Sequence, residues 1–220
     1  MNARKTLVAD YIRDSAQILK THLNSELIVE QEQGIQAKEE EAQERLSQGD
    51  ILGVLWLLSS GKRLDFVVDN AQMLKERGLF ERGLLEAWTS ANINIRSWSP
   101  TFTNWIFGKF ADRDRLRAAG QPLPGEGPFT LYRGVAGRGP ARRVRGISWT
   151  ASMERARWFA NWYADRFRLE NPCIYRTSAS QEHVLACSND RQEDEFLVLL
   201  PSDHEVTIHE RLASAPAERT

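Results

Sequence analysis

The segment Gln-Pro-Leu-Pro-Gly-Glu-Gly-Pro at residues 121–128 divides the 220-residue chain into two halves with different hydrophobic patterns. Its three prolines and two glycines favour turns and end regular structure. Before this segment, apolar side chains recur at three- and four-residue steps, which predicts helices. After it, short alternating or apolar runs predict strands. We therefore expect an α+β protein, with a helical region in residues 1–120, a sheet domain in residues 121–211 and a flexible tail at residues 212–220.

The helical half carries several start and stop signals. Residues 35–49 are strongly charged and predict either an exposed helix or a link between helices. Asp50 is expected to cap a short apolar helix. A further helix is expected from Leu64 to Lys75. Pro100 fits the first turn of another helix, which would turn Trp105 inward.

Six segments of the second half predict short strands, with one helix between the second and the third. The strands are expected at residues 129–135, 146–150, 173–177, 184–186, 196–200 and 205–208. The helix is expected from Met153 to Phe167, because apolar side chains recur along it at helical steps. On a flank of this helix, Trp158 and Trp162 lie four residues apart and are expected to touch.

Composition narrows the class of protein. Hydrophobic residues make up 41% and charged residues 27% of the chain, as in soluble globular proteins. No apolar run approaches the roughly 20 residues that span a bilayer, and the N-terminus does not resemble a signal peptide, so we expect no membrane partner and a cytoplasmic location. Cys173 and Cys187 are expected to be reduced core residues. Neither they nor the four histidines show ligand spacing, so no metal is expected.

Three polar triplets lie in or beside the predicted strands. They are Tyr132-Arg133-Gly134, Ser148-Trp149-Thr150 and Glu193-Asp194-Glu195. Because a charge is costly to bury unless it is paired, charged side chains at such positions call for a reason. Each triplet also has a structural alternative: an arginine at a strand end, a Ser/Thr edge strand, and an acidic turn.

Strand geometry predicts the direction of the side chains in two of the triplets. Residues two apart on a strand point the same way, so Ser148 and Thr150 can face one cleft, and so can Glu193 and Glu195. Five apolar residues and Pro201 follow Glu195, which indicates a central, buried strand. An acidic turn explains Glu193 readily but explains Glu195 poorly.

In this order, the triplets resemble the Arg–Ser–Glu signature of the mono-ADP-ribosyltransferases, the large family that includes cholera-type toxins. The resemblance covers about residues 129–208 and leaves the helical half outside it. It implies a split, mostly antiparallel sheet with a cleft between its halves. It also implies an enzyme that moves ADP-ribose from NAD+ to a macromolecular acceptor, as toxins, toxin–antitoxin effectors, phage host-takeover enzymes and phage-defence effectors do. It leaves room for an antitoxin or inhibitor protein as a partner.

The resemblance also implies a role for each site residue. Arg133 would bind the phosphates of NAD+, and Gly134 would let the backbone approach the nicotinamide carboxamide. Ser148 would orient Glu195, whose carboxylate would stabilise the charge that develops on the ribose. Glu193 would orient or deprotonate the incoming nucleophile.

Two further residues complete the expected NAD+ site. Thr150 would place its hydroxyl beside that of Ser148. Phe159 would supply an aromatic ring near the nicotinamide, although the helical stripe to which it belongs is also typical of plain core packing.

The acceptor stays open between two classes. A glutamate at the position of Glu193 is associated in the family with transfer to protein arginine. Between Gly127 and Met153 there is no acidic residue, and this window offers a cation-rich rim for a nucleic acid, formed by Arg138, Arg142, Arg143 and Arg145. Two other functions use the same residues: an NAD glycohydrolase with water as the acceptor, and a non-catalytic nucleic-acid-binding module.

Overall fold

The computed structural model describes residues 6–16, 25–90, 98–189 and 192–213. The chain forms two compact units, Met1–Ser97 and Trp98–Thr220. The sequence pattern puts the division near residue 120, whereas the structure groups the helices after Pro100 with the sheet. The reason is that the short helix before the turn segment packs on the fourth strand of the sheet, where Gly120 approaches the backbone of Cys187. In the described part of the chain, no helix is both long and apolar enough to cross a membrane.

The first unit is helical in its described residues. Its helices are α1 Thr6–Ala16, α2 Ser25–Ser47, α3 Ile51–Leu57, α4 Ser60–Asp69, α5 Ala71–Glu76 and α6 Phe80–Thr89. The charged residues of the 35–49 segment lie in α2, so the helix alternative is confirmed. Asp50 caps α3 as expected, because its carboxylate accepts a hydrogen bond from the Gly53 amide at 2.9 Å.

The helix expected from Leu64 to Lys75 is interrupted at Asn70. The buried Asn70 amide donates to the Phe66 carbonyl at 2.9 Å and ends α4 there. A short polar side chain that bonds its own backbone competes with the helix, so the apolar period alone could not show this break. The core of the unit includes the fully buried side chains of Leu55, Phe66, Phe80 and Leu84.

The second unit combines helices with a six-stranded sheet. Its helices are α7 Pro100–Trp105, which continues as a π-helical turn Ile106–Phe110, α8 Arg113–Ala119 and α9 Met153–Phe167. Its strands are β1 Phe129–Val135, β2 Ser148–Thr150, β3 Cys173–Ala179, β4 Val184–Ser188, β5 Glu195–Val198 and β6 Thr207–Arg211. The order in the sheet is β4-β5-β2-β1-β3-β6, and each adjacent pair is antiparallel. The α+β class with helices first is therefore confirmed.

The sheet consists of two halves joined by a weak ladder. Strands β1 and β3 share seven register pairs, whereas β1 and β2 share one, Tyr132 with Thr150. The β1–β2 ladder is therefore the narrowest link between the half formed by β4, β5 and β2 and the half formed by β1, β3 and β6. Several strand ends differ from the sequence pattern: β2 begins at Ser148, β5 ends at Val198 and β6 runs to Arg211.

The two faces of the sheet are covered differently. Leu131, Trp149 and Phe196 form a buried cluster on one face. Helix α9 packs against β1 at Gly134, where Ala156 and Ala160 are fully buried. The inward position expected for Trp105 is wrong, since that side chain is 46% exposed in a row of rings with Phe102 and Phe110. Both cysteines are free and buried, and burial raises the pKa of each thiol.

Candidate functional site

Arg133 lies where the two halves of the sheet meet. Its Nη1 donates to the backbone carbonyl of Ser148, and its Nε donates to the carbonyl of Arg143 at 3.3 Å. Near this point the ladder between β1 and β2 has a single register pair, Tyr132 with Thr150. The guanidinium thus joins the two halves with side-chain hydrogen bonds.

Gly146 makes room for this guanidinium. A Cβ atom at Gly146 would lie 2.3 Å from Nη2 and 2.6 Å from Cζ of Arg133. A side chain at this position would force the Arg133 guanidinium to shift from the backbone before β2. Gly146 was not predicted as a site residue, although a glycine at the first position of a predicted strand is a signal for such a close approach.

The charge of Arg133 is poorly compensated. Burial lowers the pKa of its guanidinium, while Tyr163 and then Glu195 oppose that shift through their charges. In the described part of the chain, Arg133 forms no ion pair, and its hydrogen bonds go to neutral carbonyl oxygens. A partly buried cation held only by carbonyls is a site that an anionic ligand would stabilise.

Glu195 on β5 is paired with Thr150 on the adjacent strand β2. The register opposes Thr150 to Glu195 on one side and to Tyr132 on the other, so these three side chains share a face. Ser148 is opposed to Leu197, two positions along the same face. A diagonal neighbour at this offset lies about 7–8 Å away by Cα, within reach of a glutamate. The register therefore places Ser148, Thr150 and Glu195 on one face, with Thr150 as the direct neighbour of Glu195, whereas Arg133 reaches this group through the backbone carbonyl of Ser148.

Glu193 does not share a strand with Glu195. Strand β5 begins at Glu195, and the preceding turn contains two residues with left-handed backbone, Gln192 at φ 56° and Asp194 at φ 44°. The Thr150 hydroxyl donates to the Glu193 carbonyl at 2.6 Å and holds this turn against β2. The strand alternation from which Glu193 and Glu195 were expected to point the same way does not extend to Glu193, because the left-handed residue Asp194 separates the two.

Gly134 has a packing role. A Cβ atom there would lie 1.8 Å from the Ala156 carbonyl oxygen and 2.6 Å from the Ala160 amide nitrogen. Helix α9 therefore covers this glycine, and the close approach is between helix and strand. The structure thus differs from the expectation that the Gly134 backbone is open to a nicotinamide carboxamide.

The aromatic side of α9 borders Arg133. Phe159 and Tyr163 are half-buried and stack with ring centroids 6.3 Å apart. Both rings belong to α9, the helix that packs on β1, the strand of Arg133. The helical stripe indicated Tyr163 only as a core residue. Phe159 lies one turn nearer the helix start, beside this site.

The arginines of the 138–145 window have different surroundings. Arg142 donates to the Tyr175 hydroxyl at 3.1 Å and to the Asn171 carbonyl at 2.9 Å. Arg145 donates to the carbonyls of Pro201 at 2.9 Å and His204 at 2.6 Å. Arg138 pairs with Glu170 at 2.5 Å in solvent, and the carbonyl of Arg143 receives Arg133. Arg142 and Arg145 thus fasten this loop to its neighbours, a role that the acidic-free window did not reveal.

Comparison with known proteins adds no family assignment. Neither a protein-family model, nor a curated protein, nor a solved structure matches this chain. Among the described residues, no group of three or more His, Cys, Asp or Glu side chains could hold a metal ion. The function is therefore argued from the chemistry of Arg133, Glu195 and their neighbours.

Proposed function

We propose that this chain is an NAD+-dependent ADP-ribosyltransferase whose site is centred on Arg133 and Glu195. The observation that carries the proposal is the partly buried guanidinium of Arg133, which is held by the backbone carbonyls of Ser148 and Arg143 at the one-pair ladder between β1 and β2, while Glu195 lies opposite Thr150 on the same β2 strand pairing. A dinucleotide presents both groups that such a site can use, a pyrophosphate for the cation and a ribose for the carboxylate.

The reaction breaks the bond between the ribose C1′ and the nicotinamide nitrogen. The electron pair leaves with nicotinamide, and positive charge develops on the ribose. The Glu195 carboxylate, opposite Thr150, would stabilise that charge, which is the effect that a preorganised anion supplies in a partly buried site. Arg133 would hold the phosphates. The acceptor then forms the new bond at C1′, and its proton would pass to Glu193 or to water.

The test is a comparison of NAD+ cleavage by the full chain and by Glu195→Gln. The variant keeps the size of the side chain and removes its charge, so nicotinamide release should fall by roughly 10²–10³. Glu205→Gln is the matched control, because Glu205 is an exposed glutamate of the same unit. Its rate should equal that of the unchanged chain.

Two results would overturn the proposal. One is absence of nicotinamide release by the unchanged, folded chain, with and without a whole-cell extract. The other is an unreduced rate in Glu195→Gln. Labelled ADP-ribose retained on macromolecules marks transfer, whereas release of free ADP-ribose marks a glycohydrolase.

A further inference from the structure

Two tryptophans on α9 are unusually exposed. Trp158 is 50% exposed and Trp162 is 39% exposed, yet their rings stack with centroids 6.0 Å apart and planes at 17°. Burying an indole is strongly favourable, so a pair of exposed, parallel indoles is a surface that a partner would stabilise. The sequence pattern predicted that the two rings touch, and this is confirmed.

The exposed pair is continuous with the candidate site. Trp158 contacts Phe159 edge to face at 5.0 Å, and Trp162 contacts Tyr163 in the same way at 5.2 Å. The helix of these rings packs on β1, the strand that carries Arg133. We name these four rings, Trp158, Phe159, Trp162 and Tyr163, the aromatic row. It leads from solvent to the proposed NAD+ site within one helix.

Charged side chains of α9 lie next to the aromatic row. Arg155 and Arg166 each lie one helical turn from a tryptophan and from Phe159 or Tyr163, so around the helix they lie between the two tryptophans and the other two rings. The Nε of Arg155 donates a hydrogen bond to the Gln192 carbonyl at 2.9 Å. Arg166 is exposed and has no partner in the described part of the chain. Glu154 and Asp165 neighbour the tryptophans but lie further round the helix from Phe159 and Tyr163. The arginine side of the row is thus complementary to an anionic backbone.

We propose that the aromatic row binds a single-stranded nucleic acid and presents it as the acceptor, an inference that rests on the proposed transferase function. Parallel indoles offer a flat π surface to unpaired bases, and arginines beside them take the phosphates. Duplex bases are already stacked on one another, so a single strand fits this surface better. The row carries the inference independently of Arg142 and Arg145, which bind neighbouring backbone.

The test measures binding of fluorescent 20-nucleotide oligo-dT and oligo-rU to the full chain without NAD+. Trp158→Ala and Trp162→Ala should each weaken binding by roughly 5- to 150-fold, the range of one lost base stack. Trp158→Phe should restore much of the affinity, because it keeps a ring. Trp105→Ala is the matched control: Trp105 is 46% exposed in the same unit, and its loss should leave binding unchanged. The DNA and RNA arms identify which strand is preferred.

The outcomes separate this inference from the proposed function. Oligonucleotide binding that depends on Trp158 and Trp162, without any NAD+ cleavage, would retain the row and reject the transferase. Cleavage of NAD+ with no oligonucleotide binding would retain the transferase and reject the row. Equal losses in Trp105→Ala and Trp158→Ala would also reject the row. So would ADP-ribose label that is removed by protease and resists nuclease, since that pattern identifies a protein acceptor.

Discussion

Arg133 donates a hydrogen bond to the backbone carbonyl of Ser148 beside the one-pair ladder between β1 and β2. One side chain therefore does two things in this unit. It links the two strands with a side-chain hydrogen bond where their ladder has a single pair, and it places a positive charge near Glu195. A lysine could supply the charge but could not reach two carbonyls with a planar fork. The arginine is thus required for geometry as well as for charge.

Gly134→Ala should disrupt the second unit. The new methyl group would meet backbone atoms of Ala156 and Ala160, at 1.8 Å and 2.6 Å, so α9 must move away from β1. We expect a loss of about 3 kcal/mol or more in the free energy of unfolding, measured by urea denaturation. Gly34→Ala is the control, because nothing lies within 4 Å of a Cβ there, and it should leave stability unchanged or slightly raised. Equal stability of the two variants would contradict the packing role.

Thr150→Val should lower NAD+ cleavage more than Thr150→Ser. The Thr150 hydroxyl donates to the Glu193 carbonyl at 2.6 Å and accepts from the Ser152 amide at 3.0 Å. Valine leaves both buried backbone groups without this partner, at a free-energy cost of about 1–3 kcal/mol, and frees the turn before Glu195. Serine keeps the hydroxyl. The measurements are nicotinamide release and thermal unfolding, and identical rates for the two variants would show that the turn does not position Glu195.

Arg145→Ala should destabilise the second unit, whereas Arg138→Ala should not. Arg145 binds the carbonyls of Pro201 and His204, so its removal frees the loop that contains Arg143. The carbonyl of Arg143 accepts a hydrogen bond from Arg133. Because Arg145 is exposed, we expect a modest loss of about 1 kcal/mol. Arg138 forms an ion pair between side chains that are 77% and 65% exposed, and such pairs contribute little. A larger loss of stability in Arg138→Ala than in Arg145→Ala, by chemical denaturation, would reverse this assignment.

Asp50 should make the first unit sensitive to acid. The hydrogen bond from the Gly53 amide, together with Arg45, lowers the pKa of the Asp50 carboxyl. A carboxyl whose pKa is lowered by folding contributes stability above its unfolded pKa of about 3.9, and that contribution disappears as pH falls through the folded pKa. Asp50→Ala should therefore lower the thermal midpoint by a few degrees at pH 7. The difference from the unchanged chain should shrink as the pH falls from the unfolded pKa of about 3.9 through the lower folded pKa, and a constant difference would exclude the ionised cap.

Local elements could be predicted from the sequence because they depend on neighbours in the chain. Helix α9 runs from Met153 to Phe167 and β1 from Phe129 to Val135, as the periods of 3.6 and 2 indicate. The Asp50 cap and the Pro100 start depend on one side chain and the next few amides, so they too are confirmed. The break at Asn70 was missed because a single side chain, rather than a period, makes it.

The arrangement of the site was decided by tertiary structure. The order of the strands places β5 beside β2, and only this pairing opposes Glu195 to Thr150. Because residues before β5 have left-handed backbone, Glu193 lies outside the strand, although its spacing of two from Glu195 predicted that both belong to it. Gly134 and Gly146 both lie in predicted strands, yet Gly134 packs against helix α9 and Gly146 contacts the Arg133 guanidinium. Sequence period fixes which face a residue takes within its own element, whereas contacts between distant elements decide what that face meets.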